Sequence, residues 1–164
     1  MGVMTPTPDR SQDVVGAAES LGLTFEVVRH GPVGSLQEAA EARGITPAQV
    51  VKTMVVRVAE GDHRFVLVPG DREIDWPKLR SLLGVSRLSM PDADAALGVT
   101  GFVRGTITPL ASRTPLPVIA DVRVTGTVSL GGGAHGVALT MDAAALVEAL
   151  DAEVADVTKE SSGR

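Results

Sequence analysis

The chain has no cysteine and no tyrosine, and only one tryptophan and three phenylalanines in 164 residues. Without cysteine there is no disulfide, no thiolate nucleophile and no cysteine-ligated zinc. With 2% aromatics, the core has to come from Val, Leu, Ala and Ile. No stretch approaches the ~20 apolar residues of a membrane helix. Met1 to Arg10 lacks the apolar segment of a secretory signal, so a cytoplasmic protein with no membrane partner is expected. Positive charge is also short: 15 Lys and Arg stand against 20 Asp and Glu, for a net charge of −5. Broad nucleic-acid binding depends on many cation–phosphate contacts, so DNA is not an expected partner. A local basic surface remains open, because arginines from Arg57 to Arg113 are spread through the middle of the chain.

What is present is enough for one folded domain. Hydrophobic residues make up 44% of the chain and mean hydropathy is +0.20. Val14, Val15, Ala18 and Leu21 recur at helical spacing, and Gly22 can end that helix. Thr24 to Val28 reads as a strand, and His30 to Gly34 as a loop. Ser35-Leu36-Gln37-Glu38 has the form of a capping box, opening a helix that Gly44 closes. Val50 to Val56 and Arg64 to Val68 read as strands of a hairpin turning at Glu60-Gly61-Asp62. Asp75 can cap a helix to about Leu83, with Gly84 ending it. Val85 to Leu88 reads as a short strand, and Ser89 to Asp92 as the opening of another short helix. Beyond Gly98 come strand-like stretches at 116–120, 127–130 and 137–141, then a last helix capped by Asp142. There is no internal repeat and no linker, so the pattern predicts a single α+β domain.

The oddest residue is Lys52, one of three lysines against twelve arginines. It lies in the run Val50-Val51-Lys52-Thr53-Met54-Val55-Val56, where strand alternation puts it on one face with Val50, Met54 and Val56. An ammonium there must reach water, find an anionic partner or lose its proton. A lysine near a strand end with its head in solvent satisfies the same pattern.

Other candidate chemistry is sparse. Gly131-Gly132-Gly133-Ala134-His135-Gly136 satisfies G-x-G-x-x-G, but a dinucleotide site needs those glycines between a strand and a helix. Here a strand-like stretch follows. The run reads either as a turn between strands or as a place where a ligand approaches backbone closely. Gly105-Thr106-Ile107-Thr108-Pro109 lacks the Gly-Lys-Ser/Thr of a P-loop. It reads as a plain connection, or as a loop presenting backbone N–H groups to an oxyanion. His30, His63 and His135 form no metal pair, and no serine sits in a nucleophile elbow. No metal and no cofactor is expected.

Several stretches together carry a resemblance: Val51 to Val56, Val68-Pro69-Gly70-Asp71, Thr100-Gly101-Phe102-Val103-Arg104-Gly105 through Leu110, Leu116 to Asp121, and the Gly132-Gly133-x-x-Gly136 turn. Their order resembles the YbaK/ProX family of free-standing aminoacyl-tRNA deacylases, related to the editing insertion domain of bacterial prolyl-tRNA synthetase. The resemblance spans residues 10–158, leaving 1–9 and 159–164 as expected flexible ends. It implies a mixed, barrel-like β-sheet flanked by short helices. It also implies hydrolysis of the ester joining a wrong amino acid to tRNA, typically Cys- or Ala-tRNA(Pro), without a covalent enzyme intermediate. By that resemblance Lys52 and the loop Gly105, Thr106, Ile107, Thr108 and Pro109 are the catalytic group. His30, Thr53, Gly101, Phe102, Gly131, Gly132, Gly133 and Gly136 would line the substrate site. The implied partners are the acceptor end of an aminoacyl-tRNA and prolyl-tRNA synthetase. The chain departs from the family pattern at Ala134-His135, where many members carry basic residues, and at His30, where cysteine-editing relatives often have an aromatic. The open alternative is a non-catalytic module on the same fold that binds an aminoacyl group, a nucleotide or a synthetase.

Overall fold

A computed structural model describes residues 9–161; the expected N-terminal segment lies almost wholly outside them, as do residues 162–164. The elements in order are α1 (Ser11–Ser20), β1 (Phe25–Arg29), α2 (Leu36–Arg43), a 3-10 turn at Pro47–Gln49, β2 (Val51–Ala59), β3 (Asp62–Pro69), β4 (Arg72–Ile74), α3 (Trp76–Leu83), α4 (Ala93–Thr100), β5 (Val118–Asp121), β6 (Thr127–Gly131), β7 (Val137–Asp142), α5 (Ala143–Ala149), β8 (Glu153–Ala155) and β9 (Thr158–Glu160).

The helix boundaries follow from their caps. The Asp75, Asp92 and Asp142 side chains accept from the N–H groups of Lys78, Ala95 and Ala145, three residues on. Gly44 and Gly84 end their helices in the left-handed conformation. At α2 only half of the predicted capping box forms. Ser35 Oγ accepts from Glu38 N–H at 3.1 Å, but the Glu38 carboxylate reaches Gly34 N–H.

The strands make a three-stranded sheet (β1-β7-β6), a four-stranded mixed sheet (β2-β3-β5-β8) and a two-stranded ribbon (β4-β9). This is the expected α+β domain, but no closed barrel forms among the described residues. Among the described residues the only strand pairing between the two larger sheets is a parallel bridge between Val50 and Ser129, so the expected barrel-like closure stops there. The four-stranded sheet is buried on both faces. Val51, Val55, Phe65 and Leu67 face the main core with α1, α5 and the three-stranded sheet. Val56, Val66, Val68 and Ile119 face a second core with Leu79 of α3 and Ile74 of β4.

Val85 to Leu88 is not a strand. The only pairing nearby is a single bridge between Ser89 and Arg57, because this stretch links α3 to the edge of β2 and has no second neighbour. At the other end, Lys159 and Glu160 pair with Glu73 and Arg72, so regular structure runs past the expected boundary at 158.

Candidate functional site

Strand β2 has two different edges. Its inner edge pairs with β3 from Val51↔Pro69 to Arg57↔His63. Pro69, which has no N–H, falls opposite Val51. Its outer edge meets the rest of the chain at two bridges, Val50 with Ser129 and Arg57 with Ser89. Arg57 N–H donates to the Ser89 carbonyl at 2.8 Å, and its own carbonyl accepts from Ser89 N–H at 3.1 Å. Backbone groups alternate in direction along a strand. Thr53 and Val55 therefore turn their N–H and C=O the same way as Arg57, toward the outer edge. Between the bridges that edge borders a cavity of about 630 Å³.

Lys52, Thr53 and Met54 form one wall, Gly105 and Ile107 another, and Gly131 closes the angle between them. The start of α4 and the side chains of Arg43 and Arg104 complete the rim.

Lys52 is half-buried, and its Nζ donates to the Arg72 carbonyl at 2.5 Å. Burial pushes its pKa below the ordinary lysine value, and the carboxylates of Glu73 and Asp71 pull it back up. The lysine has thus found a backbone acceptor and two nearby anions without a direct ion pair. Next to it, the Thr53 hydroxyl oxygen is buried and has no hydrogen-bond partner among the described residues. Such an atom ordinarily costs about 1–3 kcal/mol.

The loop on the facing wall is held from behind. The Arg10 guanidinium donates to the Thr100 carbonyl at 3.0 Å and to the Ala111 carbonyl at 2.7 Å, spanning both ends of the loop. It also lies 4.5 Å from the centroid of the Phe102 ring. The Arg10 backbone N–H donates to the Gly133 carbonyl at 3.0 Å, so one residue ties the loop to the glycine turn. Within the loop, Thr106 gives both its N–H and its hydroxyl to the Val103 carbonyl. Among the described residues no acceptor is found for the Gly105 or Ile107 N–H.

The glycine turn touches the loop through backbone. A Cβ on Gly131 would sit 3.0 Å from the Ile107 carbonyl oxygen. Gly133 has φ +87°, and a Cβ there would lie 2.7 Å from Val14 Cγ2. Only glycine fits these two positions without displacement. His135, exposed in the same turn, sets its ring against Gly105.

Of the residues expected at the site, Lys52, Thr53, Gly105, Ile107 and Gly131 line the cavity. Thr106, Thr108 and Pro109 are buried behind it. Gly101 caps α4, and Phe102 lies under Arg10, so both support the loop from outside the cavity. Gly132, Gly133 and Gly136 shape the turn, with Gly136 accepting from His30 N–H at 2.9 Å. His30 stands one residue removed from the cavity. Its Nδ1 lies 2.8 Å from the Gly31 carbonyl, leaving Nε2 as acceptor for Arg43 Nε at 3.5 Å.

Arg43 and Arg104 were not singled out from the sequence. Arg43 stands in the last turn of α2. In the fold its guanidinium reaches Ser129 Oγ at 3.3 Å, and burial lowers its pKa. Among the described residues neither arginine has a carboxylate partner. No group of three or more potential metal ligands occurs among the described residues, and no helix there is long and apolar enough to cross a membrane.

Comparison with known proteins shows the family. Residues 30–149 match the aminoacyl-tRNA editing domain. The chain belongs to that family. More particularly, it is similar to proline–tRNA ligases. It is 45% identical over 80 residues to that of Desulfotalea psychrophila, covering 49% of this chain and 14% of the ligase. It is 32% identical over 119 residues to that of Acidithiobacillus ferrooxidans, covering 73% of this chain and 21% of the ligase. The match is thus to a small part of each ligase. A crystal structure of a candidate trans-editing enzyme for prolyl tRNA synthetase superposes with a TM-score of 0.84 at 28% identity, covering 96% of this chain and 99% of that one.

Proposed function

We propose that this chain cleaves the ester of mischarged Cys- or Ala-tRNA(Pro) in the cavity beside Lys52. The observation that carries the reading is that Lys52, Thr53, Gly105 and Ile107 line one space. Its volume of about 630 Å³ suits an aminoacyl group with its ribose. Met54, Ala93, Ala96 and Ile107 make much of the lining apolar, which favours a small side chain.

In this reading the loop N–H groups of Gly105 and Ile107 receive the carbonyl oxygen as it gains charge. The outward carbonyls of β2 accept from the substrate ammonium, and Thr53 fills its empty hydrogen-bond position on the substrate. Lys52 holds the ribose or its phosphate as a point charge. Water attacks the acyl carbon, or the substrate's own thiol does so in the cysteine case. The bond to the ribose oxygen breaks, and that oxygen takes a proton. After attack by water the products are the free amino acid and tRNA with a free terminal hydroxyl; after attack by the thiol, whose proton passes to the ribose oxygen, the acyl group leaves as its cyclic thioester.

The cavity lining holds no cysteine, serine or histidine. Its one carboxylate, Asp92, is engaged at 2.8 Å in capping α4. This supports catalysis by positioning, without a covalent enzyme intermediate. The net charge of −5 supports delivery of the tRNA by prolyl-tRNA synthetase, with little long-range attraction from this chain itself. The test is hydrolysis of Cys-, Ala-, Ser- and Pro-tRNA(Pro) by the purified protein, with and without the synthetase. Turnover of the Cys or Ala ester, with Pro-tRNA(Pro) spared, is expected. If the folded protein hydrolyses none of them in either setting, the reading fails and a binding module takes its place.

A further inference from the structure

A second cavity of about 360 Å³ adjoins the first and shares three lining residues with it, Lys52, Met54 and Met90. The two lie side by side, with Lys52, Met54 and Met90 at their common border. Lys52 Nζ is anchored on the Arg72 carbonyl, at the start of β4, and Glu73 of that strand lines the second chamber. The chamber's other walls differ in kind from those of the first. Val68 and Ile74 form an apolar floor, and the indole of Trp76 stands half-buried beside them. Glu73 and Lys159 occupy the mouth, paired loosely at 3.7 Å.

We propose that this chamber binds the base of the 3′-terminal adenosine of the tRNA, stacked on Trp76. The proposal rests on the editing reading above and extends it to the nucleoside half of the substrate. The ester joins an acyl group to the terminal ribose, so a substrate with its acyl group in the first chamber must send its nucleoside out past Lys52. The second chamber is contiguous there, and its chemistry fits a purine. A flat aromatic ring needs an aromatic or apolar platform, which Trp76, Met54 and Ile74 provide. The exocyclic amine of adenine needs an acceptor at the edge of that platform, and the Glu73 carboxylate is one. Stacking gives an acidic chain a hold on the acceptor end that does not depend on phosphate contacts.

Trp76 is the chain's only tryptophan, so its fluorescence reports on this chamber alone. The experiment titrates the wild-type protein with an uncharged CCA trinucleotide, and with the same trinucleotide lacking its terminal base. Saturable quenching by CCA, at least about tenfold weaker with the abasic form, is expected. In parallel, Trp76→Leu keeps apolar volume and removes the ring. Once its melting temperature shows that it folds, it should raise KM for the mischarged tRNA about tenfold while kcat falls by less. Unchanged fluorescence at millimolar CCA, equal quenching by the abasic form, or an unchanged KM in folded Trp76→Leu would each overturn the proposal. The two readings fail separately. Base-dependent quenching without hydrolysis of any mischarged tRNA keeps the chamber and rejects the deacylation reading. Hydrolysis with an unchanged KM in Trp76→Leu does the reverse.

Discussion

Strands β2 and β3 run side by side in one sheet, yet they differ in almost every physical respect. Strand β3 lies between β2 and β5, and Phe65 to Pro69 are all buried. With a neighbour on each side and a core on each face, it reads as an apolar run. Strand β2 has the same two cores on its faces but only one full neighbour. Its three consecutive half-buried residues are Lys52, Thr53 and Met54, and they stand where the outer edge is held open between two bridges. In the reading proposed above, the open edge of β2 is what makes the site. Pairing left undone along an edge supplies backbone donors and acceptors, and the side chains beside them need only orient a substrate that is already activated.

That contrast can be broken from the β3 side. Leu67→Ala removes a fully buried side chain from the main core and should cost about 2–5 kcal/mol of stability, read as a drop in melting temperature. Hydrolysis per folded molecule should persist. A folded Leu67→Ala protein without activity would mean that β3 does more than support.

Moving the facing wall should act on the open edge without touching it. Arg10→Ala removes two charge-assisted bonds to the loop's flanking carbonyls. It should lower kcat by about tenfold or more through loss of positioning, and lower the melting temperature as well. Unaltered kcat in this variant would show that the loop needs no clamp.

A smaller change on β2 separates function from stability. Thr53→Val keeps the shape and deletes a buried hydroxyl that has no partner among the described residues. Melting temperature should hold or rise, while kcat/KM falls by up to about tenfold, the worth of one neutral hydrogen bond. Unchanged activity would make the orphaned hydroxyl a packing accident.

The smallest effect concerns Lys52 itself. Folding half-buries an ammonium, so its pKa lies below the ordinary 10.5 and the unfolded chain holds that proton more tightly. Wild-type stability should therefore gain as pH rises from the folded-state pKa toward 10.5. Lys52→Met, lacking that group, should melt a few degrees higher at neutral pH, at roughly 2–4 °C per kcal/mol. The gap should narrow through the alkaline window. A gap that widens with pH would mean the lysine stabilises the fold.

Much of this was legible in the residues, and the exceptions have physical reasons. Local signals worked where chemistry is local: the caps at Asp75 and Asp142, the glycine stops at Gly44 and Gly84, and the β2–β3 hairpin all lie where their residues place them. Strands β4, β8 and β9 are three residues each and exist only because distant partners pair with them, so no periodicity announces them. Val85 to Leu88 has strand-like composition but finds no partner. Lys52 stood out because an ammonium on an apolar face is a conflict visible in sequence. Arg43, Arg104 and Arg10 did not, since exposed-looking arginines conflict with nothing until the fold brings them to a cavity or a carbonyl pair.

The central question is whether an aminoacyl ester is cleaved at the open edge beside Lys52. The most direct measurement is the single-turnover deacylation rate of Cys- and Ala-tRNA(Pro) with wild type and Lys52→Ala at matched folded concentration. Wild type should hydrolyse at least one of them, and Lys52→Ala should slow it by about 10²–10³ without a lower melting temperature. Equal rates in the two proteins would contradict cleavage there.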